Sequence, residues 1–268
     1  MTHAYTLQVI IIGGTAAYWL DPGRYVRVRD RITLKTPYGL AAPITVLETP
    51  SGLVGFTSRH GEGGLQRSAR FVNHRANVWA AHRLGTRWML SWNGVGSLHP
   101  DWAVRDLVVL SDVVDFTRGR VDTYCEGDTR ESLWGQIGPA FAERPRRALI
   151  YSVTQHGITV HTEGVYACSE GPRLETAAEI RLFRQAGADV VGMTLCPEVW
   201  LARELGIGYG SLAYITNHAT GIRPKAASGR EFGPIVAETC FPILLRAAQD
   251  LTSAGEDPGH PVSHRPGD

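Results

Sequence analysis

The sequence predicts an α/β fold, a central mostly mixed β-sheet flanked by helices, and three stretches carry that prediction. An apolar, β-branched run from Leu7 to Ile12 stops at Gly13-Gly14-Thr15, the pattern of a fully buried strand entering a tight turn. Further on, Ala178, Leu182, Phe183 and Ala186 fall on one helical face, Gly187 supplies a C-terminal stop, and Asp189 to Met193 reads as a buried strand. A second helix begins near Pro197, which suits a first helical turn. It carries Val199, Trp200, Ala202 and Leu205 and ends at Gly206, before the strand-like run Tyr209 to Thr216. Helices alternating with apolar strands imply a sheet covered on both faces, and strand ends in such sheets are where ligands bind.

Bulk properties narrow the class. With 268 residues, 43% of them hydrophobic, the chain has material for one large core, expected over residues 1–254. The last stretch, 255–268, is rich in Pro, Gly, His and charge without apolar periodicity, and is expected to be a disordered tail. The 27 basic residues nearly balance the 26 acidic ones and form no long run, so neither nucleic acid nor an anionic membrane is an expected partner. Val9 to Ile12 is too short to span a bilayer and follows no basic leader, which reads as a cytoplasmic protein. Cys125, Cys168, Cys196 and Cys240 form no CxxC pair and no HExxH occurs, so no metal site is expected and the cysteines read as buried thiols.

Candidate binding residues sit where these strands end. Gly13 and Gly14 let the backbone turn with its N–H groups exposed and Thr15 adds a hydroxyl, a pattern shared by anion sites and ordinary turns. Arg59-His60-Gly61 follows the strand-like Leu53 to Phe56; the Arg fork suits phosphate and the His is expected to donate a further hydrogen bond. Asn73 to Asn77 opens a helix running to Leu84, and its polar residues suit an N-terminal cap. In Asn93-Gly94-Val95-Gly96-Ser97-Leu98, small residues at a strand end would let a ligand approach the backbone.

The most informative stretch is Ser169 to Thr220, SEGPRLETAAEIRLFRQAGADVVGMTLCPEVWLARELGIGYGSLAYITNHAT. It resembles the trimeric purine nucleoside phosphorylase and 5′-methylthioadenosine phosphorylase family, in which EGPR-x-ET, a GADVVGMT strand, a PE-x-x-LARELG helix and a TN or TD strand end occur in this order. The earlier segments fit the same family, so the resemblance runs from about Val9 to Gly221. It implies phosphorolysis of a nucleoside, with inorganic phosphate as co-substrate, no other cofactor, and a homotrimer or a dimer of trimers. Such a reaction passes through an oxocarbenium-like ribose, so the site must seat an anion beneath C1′ and stabilise the departing base.

By this resemblance Thr15, Arg59, His60, Asn93, Gly94 and Thr194 would surround phosphate and Met193 would form the ribose floor. Glu170 and Arg173 would shape the loop over the site; alone they would be a surface ion pair. Leu174, Asn217 and Ala219 would face the base, with Asn217 and His60 as the catalytic pair. Members that prefer 6-aminopurines carry Asp at the position of Asn217 and again two residues on, where this chain has Ala219. An amide can donate to a carbonyl such as O6 and an ionised carboxylate cannot, so Asn217 favours a 6-oxopurine nucleoside or 5′-methylthioinosine.

Several positions depart from the family pattern. Ala16 replaces a third glycine and would tighten the phosphate loop, while Leu174 replaces an aromatic that often stacks on the base. The loop after Gly61 lacks the usual His- and Pro-rich segment. Between Leu133 and Phe141, Trp134 stands where a neighbouring subunit often supplies a His. These changes cluster on the base and 5′ sides, which leaves open a 5′-modified purine or uridine nucleoside, or a silent nucleoside-binding homologue. A nucleosidase is disfavoured because activating water calls for a carboxylate base more than a cationic cradle. No GxSxG elbow is present, and Gly206, Gly208 and Gly210 lead into a strand instead of opening a helix.

Overall fold

The computed structural model of the protein describes residues 5–125, 138–222 and 233–253. The anticipated tail and Trp134 lie outside the described residues. In chain order the strands are β1 (Val9–Gly13), β2 (Arg27–Ile32), β3 (Lys35–Thr36), β4 (Gly39–Leu40), β5 (Ile44–Thr49), β6 (Gly52–Ser58), β7 (Trp88–Ser97), β8 (Leu107–Val109), β9 (Asp112–Asp115), β10 (Val160–His161), β11 (Val165–Cys168), β12 (Val190–Gly192) and β13 (Gly208–His218). The helices are α1 (His74–Arg83), α2 (Glu143–Thr154), α3 (Ala177–Gln185), α4 (Glu198–Glu204) and α5 (Gly233–Ser253).

Eleven strands join one mixed sheet, whose main path runs β10-β8-β13-β7-β1-β6-β5-β2, with β12, β11 and β9 continuing from the far half of β7. β1 lies parallel to β6 and β7, and β7 parallel to β13, so their C-terminal ends gather at one edge. Every residue of β1 is buried, as its unbroken apolar run requires of a strand with both faces covered. One face carries α2 and α5, packed through residues such as Leu149, Val153, Phe241 and Leu244. The other carries α1 and α4, with Val78, Ala81, Val199 and Leu201 in the core.

The elements anticipated from sequence are present, with shifts that have local causes. Asn73 caps α1, its Oδ1 accepting from the Ala76 N–H at 3.2 Å. Gly187 and Gly206 take φ of +85° and +72°, the left-handed conformation that ends α3 and α4. Pro197 is the N-cap of α4, one residue before the helix, not inside its first turn. The α3 face is corrected. Ile180 and Phe183 are buried, whereas Ala178, Leu182 and Ala186 are exposed, because the sheet and the Phe116 ring meet the helix on the Ile180 side. In α4 the buried positions are Glu198, Val199, Leu201 and Ala202; Trp200 is only partly buried and its indole N–H donates to Asp115 at 3.0 Å. Of the cysteines, Cys168, Cys196 and Cys240 are buried as expected and Cys125 is exposed.

Candidate active site

The gathered strand ends bring the candidate residues together. β1 runs into Gly14 and Thr15, β6 into Arg59 and His60, the far half of β7 carries Asn93 and Gly94, and the loop after β12 carries Met193 and Thr194. Close backbone approach explains the glycines. A Cβ on Gly14 would collide with the Trp92 carbonyl and stand 3.1 Å from the Arg59 guanidinium, and one on Gly94 would stand 2.6 Å from Thr15 Oγ1. The Trp92 indole donates to the Thr15 carbonyl at 3.1 Å, and the Arg59 N–H to the Gly13 carbonyl at 3.0 Å, which locks the turn to its neighbours. Ala16 takes φ +64°, a conformation a third glycine would adopt freely.

Arg59 is 2% exposed and makes a two-point ion pair with Glu198, Nε to Oε2 at 2.8 Å and Nη2 to Oε1 at 2.7 Å. Glu198 is fully buried, also accepts from the Tyr209 hydroxyl, and lies 3.3 Å from His74 Nδ1. Burial alone would raise the Glu198 carboxyl's pKa, but the Arg59 charge and hydrogen bonds outweigh it and hold the group well below the usual carboxylate range. Burial pushes the His74 pKa down against the opposing pull of Glu198. The remaining guanidinium nitrogen, Nη1, lies 3.3 Å from Asn93 Oδ1, which also accepts from Thr194 Oγ1 at 2.8 Å. Asn93 Nδ2 in turn donates to Ser211 Oγ at 2.8 Å. Arg59, Asn93 and Thr194, expected together from sequence, therefore form one buried hydrogen-bonded chain.

His60 spends one ring nitrogen on the chain itself. Its Nδ1 lies 2.9 Å from the Arg67 carbonyl, which can only accept, so Nδ1 carries the proton. Burial and then the neighbouring Arg59 charge press its pKa down to about 4, so the ring is neutral near pH 7 and Nε2 offers a lone pair. His60 thus suits a protonated phosphate oxygen better than a bare one.

The base side is built differently. Met193 is partly buried, and Gly171 (φ +63°) leans over it so closely that a Cβ there would stand 2.6 Å from its Sδ. Asn217 follows a register shift between Ile215 and Asn217 that turns the end of β13. Its Oδ1 accepts from Thr216 Oγ1 at 2.8 Å and its Nδ2 donates to the His218 carbonyl at 2.9 Å, yet the residue is exposed. Ala219 is buried, and Leu174 is 61% exposed. Glu170 and Arg173 do not pair with each other. Glu170 accepts from the Arg118 N–H at 2.7 Å, whereas Arg173 forks onto Glu179, at 2.8 and 2.6 Å, and holds that carboxyl down at about 2.

A cavity of about 730 Å³ opens beside this loop, lined by Ser169, Glu170, Gly171, Glu175, Arg118 and Phe183 among others. Sequence reasoning passed over Glu175, although it is a buried carboxylate that accepts from the Ser169 hydroxyl. It also passed over Glu198, whose signal was present: a charged residue on the buried stripe of a helix needs a buried partner. Asp115, Cys168 and Cys196 offer three metal-ligand atoms within 4.8 Å of one another. Both Asp115 oxygens already accept, from the Thr117 N–H and the Trp200 indole, and Cys168 Sγ accepts from the Cys196 N–H. Packing of buried thiols accounts for that cluster.

Comparison with known proteins agrees with this geometry. The family model described as the phosphorylase superfamily matches residues 32–248. The chain is 39% identical over 243 residues to the probable 6-oxopurine nucleoside phosphorylase of Thermococcus kodakarensis, covering 89% of each chain. It is 42% identical over 218 residues to the probable S-methyl-5′-thioinosine phosphorylase of Methanosarcina acetivorans, covering 79% of this chain and 80% of the relative. Among solved structures, ligand-free methylthioadenosine phosphorylase from Schistosoma mansoni superposes with a TM-score of 0.81 at 29% identity over 93% of each chain. The chain belongs to the phosphorylase superfamily.

Proposed function

We propose that the protein cleaves the N-glycosidic bond of a 6-oxopurine nucleoside, or of its 5′-methylthio counterpart, with inorganic phosphate, giving free base and ribose 1-phosphate or 5-methylthioribose 1-phosphate. The observation that carries this reading is the buried Arg59 fork, held by Glu198 and presented beside Asn93, Thr194 and the Gly14-Thr15 turn. Phosphate seated there lies beneath C1′ on the Met193 side of the ribose, where its charge stabilises the developing oxocarbenium ion and one oxygen forms the new bond to C1′ as the bond to the base breaks. Asn217 would donate to the electron-rich base as its bond to C1′ breaks. Glu175 supports the 6-oxopurine assignment, because a buried carboxylate accepts the N1–H that hypoxanthine and guanine carry and adenine lacks. The names of the 6-oxopurine and thioinosine relatives point the same way.

Phosphate is the only co-substrate in this reading. A homotrimer is in keeping with the family resemblance and with exposed Phe71, Leu174 and Leu182. Four free thiols are in keeping with a cytoplasmic setting, and no helix among the described residues is long and apolar enough to cross a membrane.

Inosine, guanosine, methylthioinosine, methylthioadenosine and uridine incubated with and without phosphate, and followed by phosphorus NMR, test the proposal. The expected result is a pentose 1-phosphate signal from the 6-oxopurine substrates only when phosphate is present. Base release independent of phosphate, or preferred turnover of methylthioadenosine or uridine, overturns it.

A further inference from the structure

Arg120 lies in the connection after β9, outside every segment that marked the site in the sequence. Its side chain is only 5% exposed, and its guanidinium faces backbone. Nη1 donates to the carbonyls of Met193, at 2.8 Å, and Cys196, at 2.7 Å. Nη2 donates to the carbonyl of Glu170 at 2.6 Å and reaches that of Ser169 at 3.4 Å. Nε stands 3.3 Å from the Glu170 carboxylate. One planar cation thus ties the 193–196 turn, which carries the ribose floor and Thr194, to the 169–170 turn that leads into Glu175.

The Arg120 segment is itself fixed at both ends. The Phe116 N–H donates to the Cys168 carbonyl at 2.9 Å and the Arg118 N–H to Glu170 at 2.7 Å, while Tyr124 donates to Glu204 of α4 at 2.9 Å. A carbonyl held by Arg120 fixes the tilt of its peptide plane and so the path of the turn that carries it. Four such carbonyls, two on each turn, set the gap into which a nucleoside must fit. The Arg59 group is held through Glu198, Asn93 and Tyr209, to which Arg120 makes no hydrogen bond, and Thr194, next to the Met193 carbonyl, has its hydroxyl held by Asn93 Oδ1 at 2.8 Å.

The geometry points to Arg120 as a positioning residue for the nucleoside half of the site, one that sets the spacing between the Met193 floor and the base loop and leaves the phosphate half to Arg59. This inference rests on the phosphorylase reading above. Lysine keeps the charge but lacks the planar fork that serves two turns at once. Arg120→Lys should therefore raise KM for inosine about tenfold and lower kcat about tenfold, since small misplacements slow the chemical step. KM for phosphate should stay within about twofold of wild type and Tm within a few degrees.

Arg120→Ala should regain part of the lost kcat when millimolar guanidinium chloride is added, with methylammonium chloride ineffective. Equal rises in both KM values, wild-type kinetics in Arg120→Lys, or a folded Arg120→Ala that guanidinium does not restore would overturn the assignment. If Arg120→Ala does not fold, the KM split in Arg120→Lys decides. Wild type assayed alongside separates the two ideas: if it fails to turn over inosine, the functional reading falls. Calorimetric inosine affinity of wild type against Arg120→Lys then tests the positioning role, which unchanged affinity would refute.

Discussion

The two halves of the cleft are made on opposite plans. On the phosphate side Arg59, Asn93, Thr194 and Glu198 are buried and bonded to one another across four different elements, so no one of them can move without unsatisfying the rest. On the base side Asn217, Leu174 and Arg173 are exposed, and their hydrogen bonds run to residues no more than six positions away in the chain. A buried ion pair contributes little net stability, because desolvation offsets the Coulombic gain, but it fixes where a guanidinium points. The contrast teaches that the proposed anion seat is preorganised by the fold, whereas the proposed base side rests on side chains that can change without disturbing the core.

The sharpest way to break that comparison is Arg59→Lys. The lysine keeps a charge but loses the two-point grip on Glu198, so kcat/KM for phosphate should fall about a thousandfold, or about 4 kcal/mol. Steady-state kinetics with varied phosphate measure it, and a loss under tenfold would mean the network is not what holds the anion. A second test uses pH. His60 has a folded-state pKa of about 4 against an ordinary value near 6.5, so the unfolded chain takes up its proton first as pH falls. Stability from this group is complete above pH 6.5 and declines toward pH 4, by up to about 3 kcal/mol. Urea unfolding from pH 4 to 7 should show that slope, and His60→Gln should flatten it; an unchanged slope in the variant would assign the effect elsewhere.

The smallest of the three effects belongs to the base side. Asn217→Asp should lower turnover of inosine relative to adenosine about a hundredfold, by facing O6 with an acceptor. Because Asn217 is exposed and its bonds are local, Tm should move little. A Tm drop as large as that of Arg59→Lys would erase the distinction between the halves.

Much of the phosphate side was legible because its residues sit at strand ends marked by glycine, and glycine at such places signals close backbone approach. Arg59, Thr15, Asn93 and Gly94 stood out at such places and the family resemblance marked them; the structure joins Arg59, Asn93 and Thr194 by hydrogen bonds and sets Gly94 against Thr15. His60 stood out as well, but its tautomer is fixed by the Arg67 carbonyl, which comes from a loop whose path no local pattern reveals. The α3 face was misread because both Leu182 and Ile180 head apolar stripes on a nine-residue helix, and only contact with β11 and β12 chooses between them. Arg120 carried no signal at all: its partners are backbone carbonyls, which every residue possesses.

The sequence by itself determined the alternation of strand and helix and the turns that need glycine, because each follows from local periodicity and φ preference, and its resemblance to a known family marked the candidate phosphate residues. The tertiary structure alone decided which charges lose their solvent, which carboxylate grips which guanidinium, and how far the base loop stands from the floor. Those depend on desolvation and on contacts between residues 50 to 140 positions apart, such as Arg59 with Glu198 and Arg120 with Met193, and no short-range pattern encodes them.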